Sequence, residues 1–191
     1  LRDILGSHNV TSVSLQELAD YDKRFVAINL YRKLANIYAD LPSYPLRETG
    51  RFKMLTGEDS ITADRKHKDS ITFVNYAKMI FSTNELPKVN DMTLAYWRRW
   101  LLIEFPNKFP YDPNFYEETF TKEEVEGIII VSLLAFYNVY RRRKFSFEET
   151  EADYRETWLR ETNSVYAFLK DLEEGIERES IIYRGIIDPN A

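Results

Sequence analysis

The sequence predicts an α/β fold, a parallel sheet flanked by helices, followed by an all-helical C-terminal region. In the first part of the chain, short apolar segments with the pattern of strands are separated by segments with helical spacing. After Pro106 the strand-like segments stop. The helical segments that follow lie at 122–144, 148–161 and 165–174. We therefore expect two parts, 1–110 and 111–191.

Each element before this boundary follows from its own local pattern. The predicted strands are the alternating stretch 10–15 and the apolar stretches 33–40, 77–82 and 101–105. The predicted helical segments are 1–5, which Gly6 ends, a stretch from Gln16, and 46–55, which ends at Gly57. Strand and helical patterns thus alternate up to residue 105, which is typical of a sheet with helices packed on it.

Residues 60–73 predict a β-hairpin with a basic tip. Two β-prone flanks, Ser-Ile-Thr and Ser-Ile-Thr-Phe, enclose four neighbouring basic side chains, Arg65, Lys66, His67 and Lys68. Such a tip can neutralise the phosphates of a nucleic-acid strand without reading its bases. A solvated charged turn without a partner is the alternative interpretation.

The distribution of charge also favours the first part as the place where a polyanion binds. The whole chain has 26 Lys+Arg and 31 Asp+Glu, a net charge of −5. Residues 1–110 hold 16 Lys+Arg and 13 Asp+Glu, net +3, whereas residues 111–191 hold 10 and 18, net −8. A nucleic-acid partner is therefore expected to meet the first part. The basic run 141–144 is more typical of a helix C-terminus than of a second DNA contact.

Composition excludes several kinds of site. With no Cys and two His, the chain has no disulfide framework, no thiolate metal site and no zinc site built from histidines. The longest apolar stretch, 127–140, is shorter than the roughly 20 residues that span a bilayer, so we expect a buried core helix and no membrane partner. No signal peptide opens the chain, so we expect a soluble, cytoplasmic protein. Because residue 1 is Leu and not Met, we expect a piece of a longer protein.

Polar side chains directly follow two of the predicted strands. Asp40 ends the strand 33–40, and Asn84 follows the strand 77–82. Functional groups of α/β proteins lie past the carboxyl ends of strands. There, Asp40 can hold Mg²⁺ beside phosphates, and Asn84 can orient a water or contact a phosphate. Each also has a simpler interpretation, since Asp40 can cap the turn before Pro42 and Asn84 can form a turn.

A third feature is the segment Trp-Arg-Arg-Trp at 97–100. It places two guanidinium groups, those of Arg98 and Arg99, between large aromatic side chains just before the predicted strand 101–105. An Arg beside a Trp is often a stacked, solvated structural pair. The same arrangement is also a rigid mount for an arginine that acts on a neighbouring subunit.

The order of these features resembles that of the superfamily 3 helicases of viruses and plasmids, and within them most of all the phage and plasmid primase-helicase family. Four segments carry the resemblance: 33–40 resembles the Walker B strand, 52–63 the B′ region, 80–87 motif C, and 96–99 the Tyr-Trp-Arg-Arg that follows it. The resemblance implies a truncated AAA+-like P-loop ATPase core. It also implies a parent protein that is a ring-forming, ATP-dependent 3′→5′ DNA helicase acting at a replication origin or fork, with a primase domain as an optional upstream part.

The resemblance further implies roles for single residues. Asp40 matches the Walker B acid that helps to hold Mg²⁺, and Asn84 matches the motif C amide at the γ-phosphate of ATP. Arg98 matches the arginine finger that reaches the ATP site of the neighbouring subunit in a hexameric ring, with Arg99 as the alternative.

The hairpin tip has a counterpart in the same superfamily. Lys66 and His67 match a Lys-His pair that contacts single-stranded or forked DNA, and Arg65 and Lys68 extend the charge on either side.

Two departures from the family pattern matter. Ala39 precedes Asp40 where the family often has two consecutive acids, which leaves the water-activating carboxylate open, with Glu85 as one alternative. No G-x-x-x-x-G-K-[S/T] occurs in the 191 residues, so we expect the sequence to begin just after the Walker A lysine and, alone, to bind ATP poorly. A non-catalytic oligomerisation or DNA-binding module that kept the fold is the alternative function.

Overall fold

The structure, a computed structural model, describes residues 1–146 and 149–187. The strands are β1 (Val10–Thr11), β2 (Ala35–Tyr38), β3 (Ser60–Arg65), β4 (Lys68–Val74) and β5 (Lys78–Phe81). The α-helices are α1 (Arg2–Leu5), α2 (Leu15–Ala19), α3 (Gly50–Leu55), α4 (Leu94–Trp97), α5 (Phe115–Thr119), α6 (Lys122–Arg142), α7 (Glu151–Thr162) and α8 (Ser164–Ile187). Short 3₁₀ turns lie at Ser7–Asn9 and Ala27–Leu30.

Three strands form a parallel sheet in the order β1-β2-β5. Val10 pairs with Ala35, and Ala35 through Tyr38 pair in step with Lys78 through Phe81. Because all three strands run the same way, their carboxyl ends lie at one edge of the sheet. The prediction of an α/β fold with a parallel sheet and several helices is confirmed. The boundary near residue 110 stays a prediction.

A buried asparagine continues the sheet where β1 ends. Asn36 is fully buried, and its side-chain amide forms two hydrogen bonds with the backbone of Val13. Val13 N donates to Asn36 Oδ1 at 2.8 Å, and Asn36 Nδ2 donates to Val13 O at 2.9 Å. The amide thereby replaces the backbone partner that a longer β1 would have had, and no polar group of the pair is left unsatisfied.

The predicted hairpin is confirmed as an antiparallel pair of β3 and β4, separate from the parallel sheet. Its turn consists of Lys66 and His67, between the paired residues Arg65 and Lys68. His67 has a φ of 59°, in the left-handed region that His enters more readily than most residues. The inner face of the hairpin packs on a core cluster that includes Leu18, Leu30, Leu55, Ile61 and Ala63.

A second core cluster is built from aromatic rings of α3, α4 and α7. Phe52, Tyr96, Trp97 and Trp158 are at most 1% exposed. The Trp158 ring lies 5.7 Å from Trp97 and 4.9 Å from Trp100, measured between centroids. Aromatic pairs at these distances stabilise a core beyond the area that they bury. The helix α7 therefore packs into the same core as elements before residue 100.

The prediction of a strand at 101–105 is wrong. These residues form no strand, and Leu101, Ile103 and Phe105 are 46%, 68% and 88% exposed. In the described part of the chain, β5 pairs only with β2, so its outer edge is open. An apolar segment forms a strand only where a neighbouring strand satisfies its backbone, and no strand in the described part of the chain pairs with 101–105.

The long helix of the C-terminal region forms as predicted, but its environment differs from the prediction. α6 begins at the Thr121 cap, whose hydroxyl accepts a hydrogen bond from Glu124 N, and ends at Arg143, which has a φ of 56°. None of its residues is buried, so the expectation of a buried core helix over 127–140 is wrong. No helix in the described ranges is long and apolar enough to cross a membrane.

The other two C-terminal helices form, but their bounds differ from the predicted ones, and α8 is much longer than predicted. α7 starts at Glu151, and residue 148, the first of the predicted helix 148–161, lies outside the described residues. A capping box formed by Thr150 and Asp153 explains the start, because each side chain bonds to the other's backbone N–H. α8 extends past the predicted end at residue 174 to Ile187.

One carboxylate joins α3 to the segment before α4. Asp91 accepts hydrogen bonds from Lys53 Nζ at 2.8 Å, from Thr93 N at 2.9 Å and from Thr93 Oγ1 at 2.6 Å, and also from Thr49 Oγ1. Partial burial would raise the pKa of Asp91, but the hydrogen bonds from Lys53, Thr49 and Thr93 outweigh it and hold that pKa well below its usual range.

We expect Asp91→Asn to lower the free energy of unfolding by about 2–3 kcal/mol near neutral pH, because Lys53 and Thr49 lose a charged acceptor. Since the folded pKa of Asp91 is lowered, its stabilisation is complete above the ordinary pKa of about 3.9 and is lost as the pH falls through the folded value. Urea unfolding at about pH 7 and about pH 3 measures the effect. The difference between wild type and variant should shrink at the lower pH, and an equal difference at both would contradict this role.

Candidate functional site

The carboxyl ends of β2 and β5 are held together past the last strand residues. Ser82 N donates to Tyr38 O at 3.1 Å, and Leu41 N donates to Ser82 O at 2.9 Å. Asp40 lies between these two bonds, exposed, with a φ of 56°. Asp is among the few residues that adopt this left-handed conformation at low cost. The predicted acid therefore projects from the sheet edge at which α/β proteins bind ligands.

The loop after β5 is folded by a threonine. Thr83 Oγ1 donates to Glu85 O at 2.6 Å and accepts from Glu85 N at 3.2 Å, and Leu41 O, a second acceptor for the same proton, lies 3.4 Å away. The loop is thus tied both to itself and to the chain that follows Asp40. Asn84 lies at the tip of this loop, exposed and without a hydrogen bond among the described residues. Its amide is free to bind a ligand, and it is not needed to form the turn.

Asn84 faces a cavity that sequence reasoning missed. The cavity is an open pocket with a volume of about 370 Å³, and none of its lining residues is buried. Its lining is Ser43, Asn84, Glu85, Leu86, Lys88, Glu161 and Thr162. The sheet edge supplies the first five of these residues and the end of α7 supplies the last two. Asp40 and Arg98 do not line it, so the structure brings Asn84 together with α7 and leaves the other two predicted site residues outside the cavity.

The α7 wall of this cavity is firmly attached to the loop that carries Asn84. Trp158 Nε1 donates to Pro87 O at 2.8 Å, and both groups are buried. Leu159 is also buried, and Thr162 Oγ1 donates to Trp158 O at 2.8 Å. No pattern in the sequence places the end of α7 here, because the contact joins residues 71 positions apart.

The two neighbouring arginines after α4 differ in their surroundings. Trp97 is buried in the aromatic cluster and Trp100 packs against it, which fixes the segment between them. Arg98 is exposed, and its guanidinium makes no hydrogen bond or ion pair within the described ranges. Arg99 is half-buried and donates to Ala95 O. Burial, and next the nearby Arg98 charge, lower the pKa of Arg99.

The hairpin tip lies on a separate element from the cavity. Arg65 Nε donates to Asp69 O at 2.8 Å, which ties that guanidinium to the hairpin backbone. Lys66, His67 and Lys68 are exposed at or beside the turn. The four predicted basic residues are therefore grouped at one end of the hairpin, and the side chains of three of them make no hydrogen bond to the described protein.

A larger cavity, of about 460 Å³, lies beside α2 and contains none of the predicted site residues. Its lining contains both acidic and basic side chains. Two of these side chains form an ion pair, with Lys23 Nζ 3.0 Å from Glu17 Oε1. That ion pair leaves the other charged side chains of the lining, Asp20, Asp22, Arg47 and Glu48, without an ion pair in the described part of the chain.

The protein atoms near the sheet edge can bind Mg²⁺ only if the phosphates of a bound substrate complete its coordination. Within the described residues, no three carboxylate or imidazole side chains gather at a metal-binding distance. Mg²⁺ is usually held by one or two carboxylates together with water and substrate phosphates. The exposed Asp40 supplies one such carboxylate, so it can hold Mg²⁺ that arrives bound to phosphate.

Comparison with known proteins gave two findings. Residues 1–99 match the model of a family described as "Family of unknown function (DUF5906)". Over 61 residues the chain is 39% identical to a protein of Acanthamoeba polyphaga mimivirus that carries the name "Putative helicase L207/L206". That alignment covers 32% of the chain and 6% of the mimivirus protein, so the chain spans a small part of that relative.

Proposed function

The chain belongs to the DUF5906 family, whose function is unknown, and from this premise we propose that it is part of a ring-forming, ATP-dependent DNA helicase of a virus or plasmid. The observation that carries the proposal is the pair of side chains Asp40 and Asn84. They follow adjacent parallel strands whose ends are joined by the bond between Leu41 N and Ser82 O. The partial likeness to the mimivirus protein named as a helicase supports a helicase-related role.

In the proposed site, Asp40 and Asn84 act on the phosphates of ATP. Bound Mg²⁺ would neutralise charge on the β- and γ-phosphates. Asp40 would hold that ion through its exposed carboxylate, which needs no rearrangement of the backbone because the left-handed conformation already projects it from the sheet edge. Asn84, whose amide has no protein partner among the described residues, would contact the γ-phosphate.

The contrast between the two arginines supports Arg98 as the residue that reaches another subunit. A guanidinium that acts in a neighbour's site has to be exposed and unpaired in its own chain, and Arg98 meets both conditions within the described ranges. Arg99 is bound to Ala95 O and half-buried. We therefore propose that Arg98 stabilises the transferred phosphoryl group of the adjacent protomer, which requires assembly into a ring, with six protomers as the expected number.

The phosphate-binding loop of the proposed ATPase comes from outside these 191 residues, since the sequence contains no G-x-x-x-x-G-K-[S/T]. The open outer edge of β5 supports this proposal, because an unpaired edge in the described part can accept a further strand. Such a strand, ending in a glycine-rich loop, would bring the loop to the same sheet edge as Asp40 and Asn84.

The experiment that tests the proposal is strand separation by the full-length protein, measured on forked DNA with and without ATP and Mg²⁺. We expect separation only when both are present. Failure to separate strands and to hydrolyse ATP, by a protein that still assembles and binds DNA, would contradict the proposal. That outcome would favour the second candidate, a non-catalytic oligomerisation or DNA-binding module, for which the exposed basic tip of the hairpin is the specific observation.

We propose that the hairpin tip binds the DNA backbone. The double variant Lys66→Ala, His67→Asn should weaken binding of single-stranded DNA and reduce the slope of log affinity against log salt by about 0.7 for each phosphate that the tip no longer neutralises. Asn is used at 67 because it tolerates the left-handed backbone that Ala would strain. Fluorescence anisotropy over a salt series measures both quantities.

The matched control for the hairpin variant is Lys108→Ala, which removes one exposed charge outside the hairpin. A double variant that binds with the affinity and salt dependence of Lys108→Ala would remove the hairpin from the DNA interface.

A further inference from the structure

The end of α7 closes the cavity in which Asn84 lies, and we propose that Glu161 is the carboxylate that activates the attacking water there. This inference rests on the proposed ATPase function. It adds to that site a residue on α7, far along the chain from Asp40 and Asn84. Glu161 lines the cavity together with Asn84 and is exposed, and its carboxylate makes no ion pair or hydrogen bond within the described residues. A carboxylate with these properties is available to accept a proton from a water in the cavity.

The residues at the end of β2 do not supply a carboxylate for activating the water. Ala39 precedes Asp40, so β2 ends in a single acid, which is the candidate for holding Mg²⁺. Water activation therefore requires a different carboxylate, and the cavity lining offers two, Glu85 and Glu161. The lining also contains one cation, Lys88, which can contact a phosphate oxygen beside these two carboxylates.

Glu85 and Glu161 are held in position by different parts of the structure. Glu85 belongs to the same loop as Asn84, and its backbone N–H and C=O are both bound to Thr83 Oγ1. Glu161 comes from a separate wall, on a helix whose position is fixed by the buried Trp158 and its bond to Pro87 O. A ligand in the cavity would thus be contacted by Asn84 from the loop and by Glu161 from α7, two side chains that separate elements hold in position.

In the proposed step, Glu161 accepts a proton from the water as the water oxygen bonds to the γ-phosphorus. The bond between the γ-phosphorus and the bridging oxygen breaks, and its electron pair stays with ADP, so the products are ADP and inorganic phosphate. Asn84 lines the same cavity. Its amide orients either the attacking water or an oxygen of the γ-phosphate.

The test compares Glu161→Gln, Glu85→Gln and the control Glu151→Gln in the full-length protein. Glu151 is an exposed acid in the first turn of the same helix and does not line the cavity. We expect Glu161→Gln to lower the rate of ATP hydrolysis by about 10²-fold or more, the usual effect of removing a general base. Its affinity for a fluorescent ATP analogue with Mg²⁺ should stay within about 3-fold of wild type, since the loss is confined to the transition state.

A second readout separates a catalytic from a structural role. Nucleotide recovered from Glu161→Gln after incubation with ATP should be mainly ATP, whereas wild type and Glu151→Gln should yield mainly ADP. Two results would overturn the assignment of Glu161: hydrolysis by Glu161→Gln at the rate of Glu151→Gln, or loss of hydrolysis in Glu85→Gln instead. In either case, impaired hydrolysis by Asn84→Ala would show that the proposed ATPase site itself still holds. A wild-type protein that neither binds nor hydrolyses ATP would overturn the proposed function itself, and this inference with it.

Discussion

Replacing Arg98 with alanine is expected to lower ATP hydrolysis by about 10³-fold or more, the effect of losing an arginine that stabilises the transferred phosphoryl group. The fold should be unaffected, because the Arg98 side chain is exposed and has no partner among the described residues, and the backbone bond of Arg98 N to Leu94 O is kept. Steady-state hydrolysis by the full-length protein measures the loss. Arg98→Lys should not restore the rate, since an ammonium group cannot form the paired hydrogen bonds of a guanidinium.

Arg99→Ala is the matched comparison one position away. Arg99 is half-buried and donates to Ala95 O, so its removal should lower stability more than Arg98→Ala does. If Arg99→Ala abolished hydrolysis without loss of stability while Arg98→Ala remained active, the assignment of the two arginines would be reversed.

The position of Arg98 in a neighbour's site can be tested by mixing two inactive variants. In mixed rings of Arg98→Ala and Asp40→Asn protomers, some interfaces join an intact Asp40 to an intact Arg98. Hydrolysis that neither variant has alone should therefore reappear in the mixture. Mixtures as inactive as the separate variants would place both residues in one protomer's site.

Trp158→Ala is expected to have the largest effect on stability, lowering the free energy of unfolding by about 3–5 kcal/mol. The substitution removes a ring that is 1% exposed and contacts the rings of Tyr96, Trp97 and Trp100. It also leaves Pro87 O without its donor in a buried position. Urea unfolding followed by circular dichroism measures the change.

Trp158→Phe separates packing from the hydrogen bond. Phe keeps an aromatic ring in the cluster but cannot donate to Pro87 O, so we expect a loss of about 1–3 kcal/mol, smaller than for Ala. Equal stability of Trp158→Ala and wild type would show that α7 does not pack into the core in solution. That result would also remove the α7 wall of the cavity at Asn84.

Features set by local pattern were predicted well from the sequence. The hairpin follows from β-prone flanks around a short charged turn, and the strands that lead to Asp40 and Asn84 follow from apolar runs that end in polar residues. Their meeting at one sheet edge follows from the parallel arrangement alone.

Features set by long-range packing were not predicted. The amide of Asn36 extends β1 through Val13, a role that nothing in its neighbours along the chain suggests. The cavity depends on Trp158 docking at Pro87, 71 residues away, so Glu161 carried no signal in the sequence. The segment 101–105 does not form a strand because an apolar run specifies a strand only when a partner strand lies beside it.

The central claim is that the sheet edge carrying Asp40 and Asn84 is a site of Mg²⁺-dependent ATP hydrolysis. The measurement that tests it most directly is the rate of ATP hydrolysis by the full-length protein with Asp40→Asn, beside the control Asp22→Asn, another exposed acid, which lines the larger cavity and not the one at Asn84. Asn preserves the size of the side chain and tolerates the left-handed backbone at 40, so only the charge is removed. We predict a loss of about 10²-fold or more for Asp40→Asn, because the proposed magnesium ligand is removed, and no loss for Asp22→Asn. Equal rates for the two variants and wild type would contradict the claim.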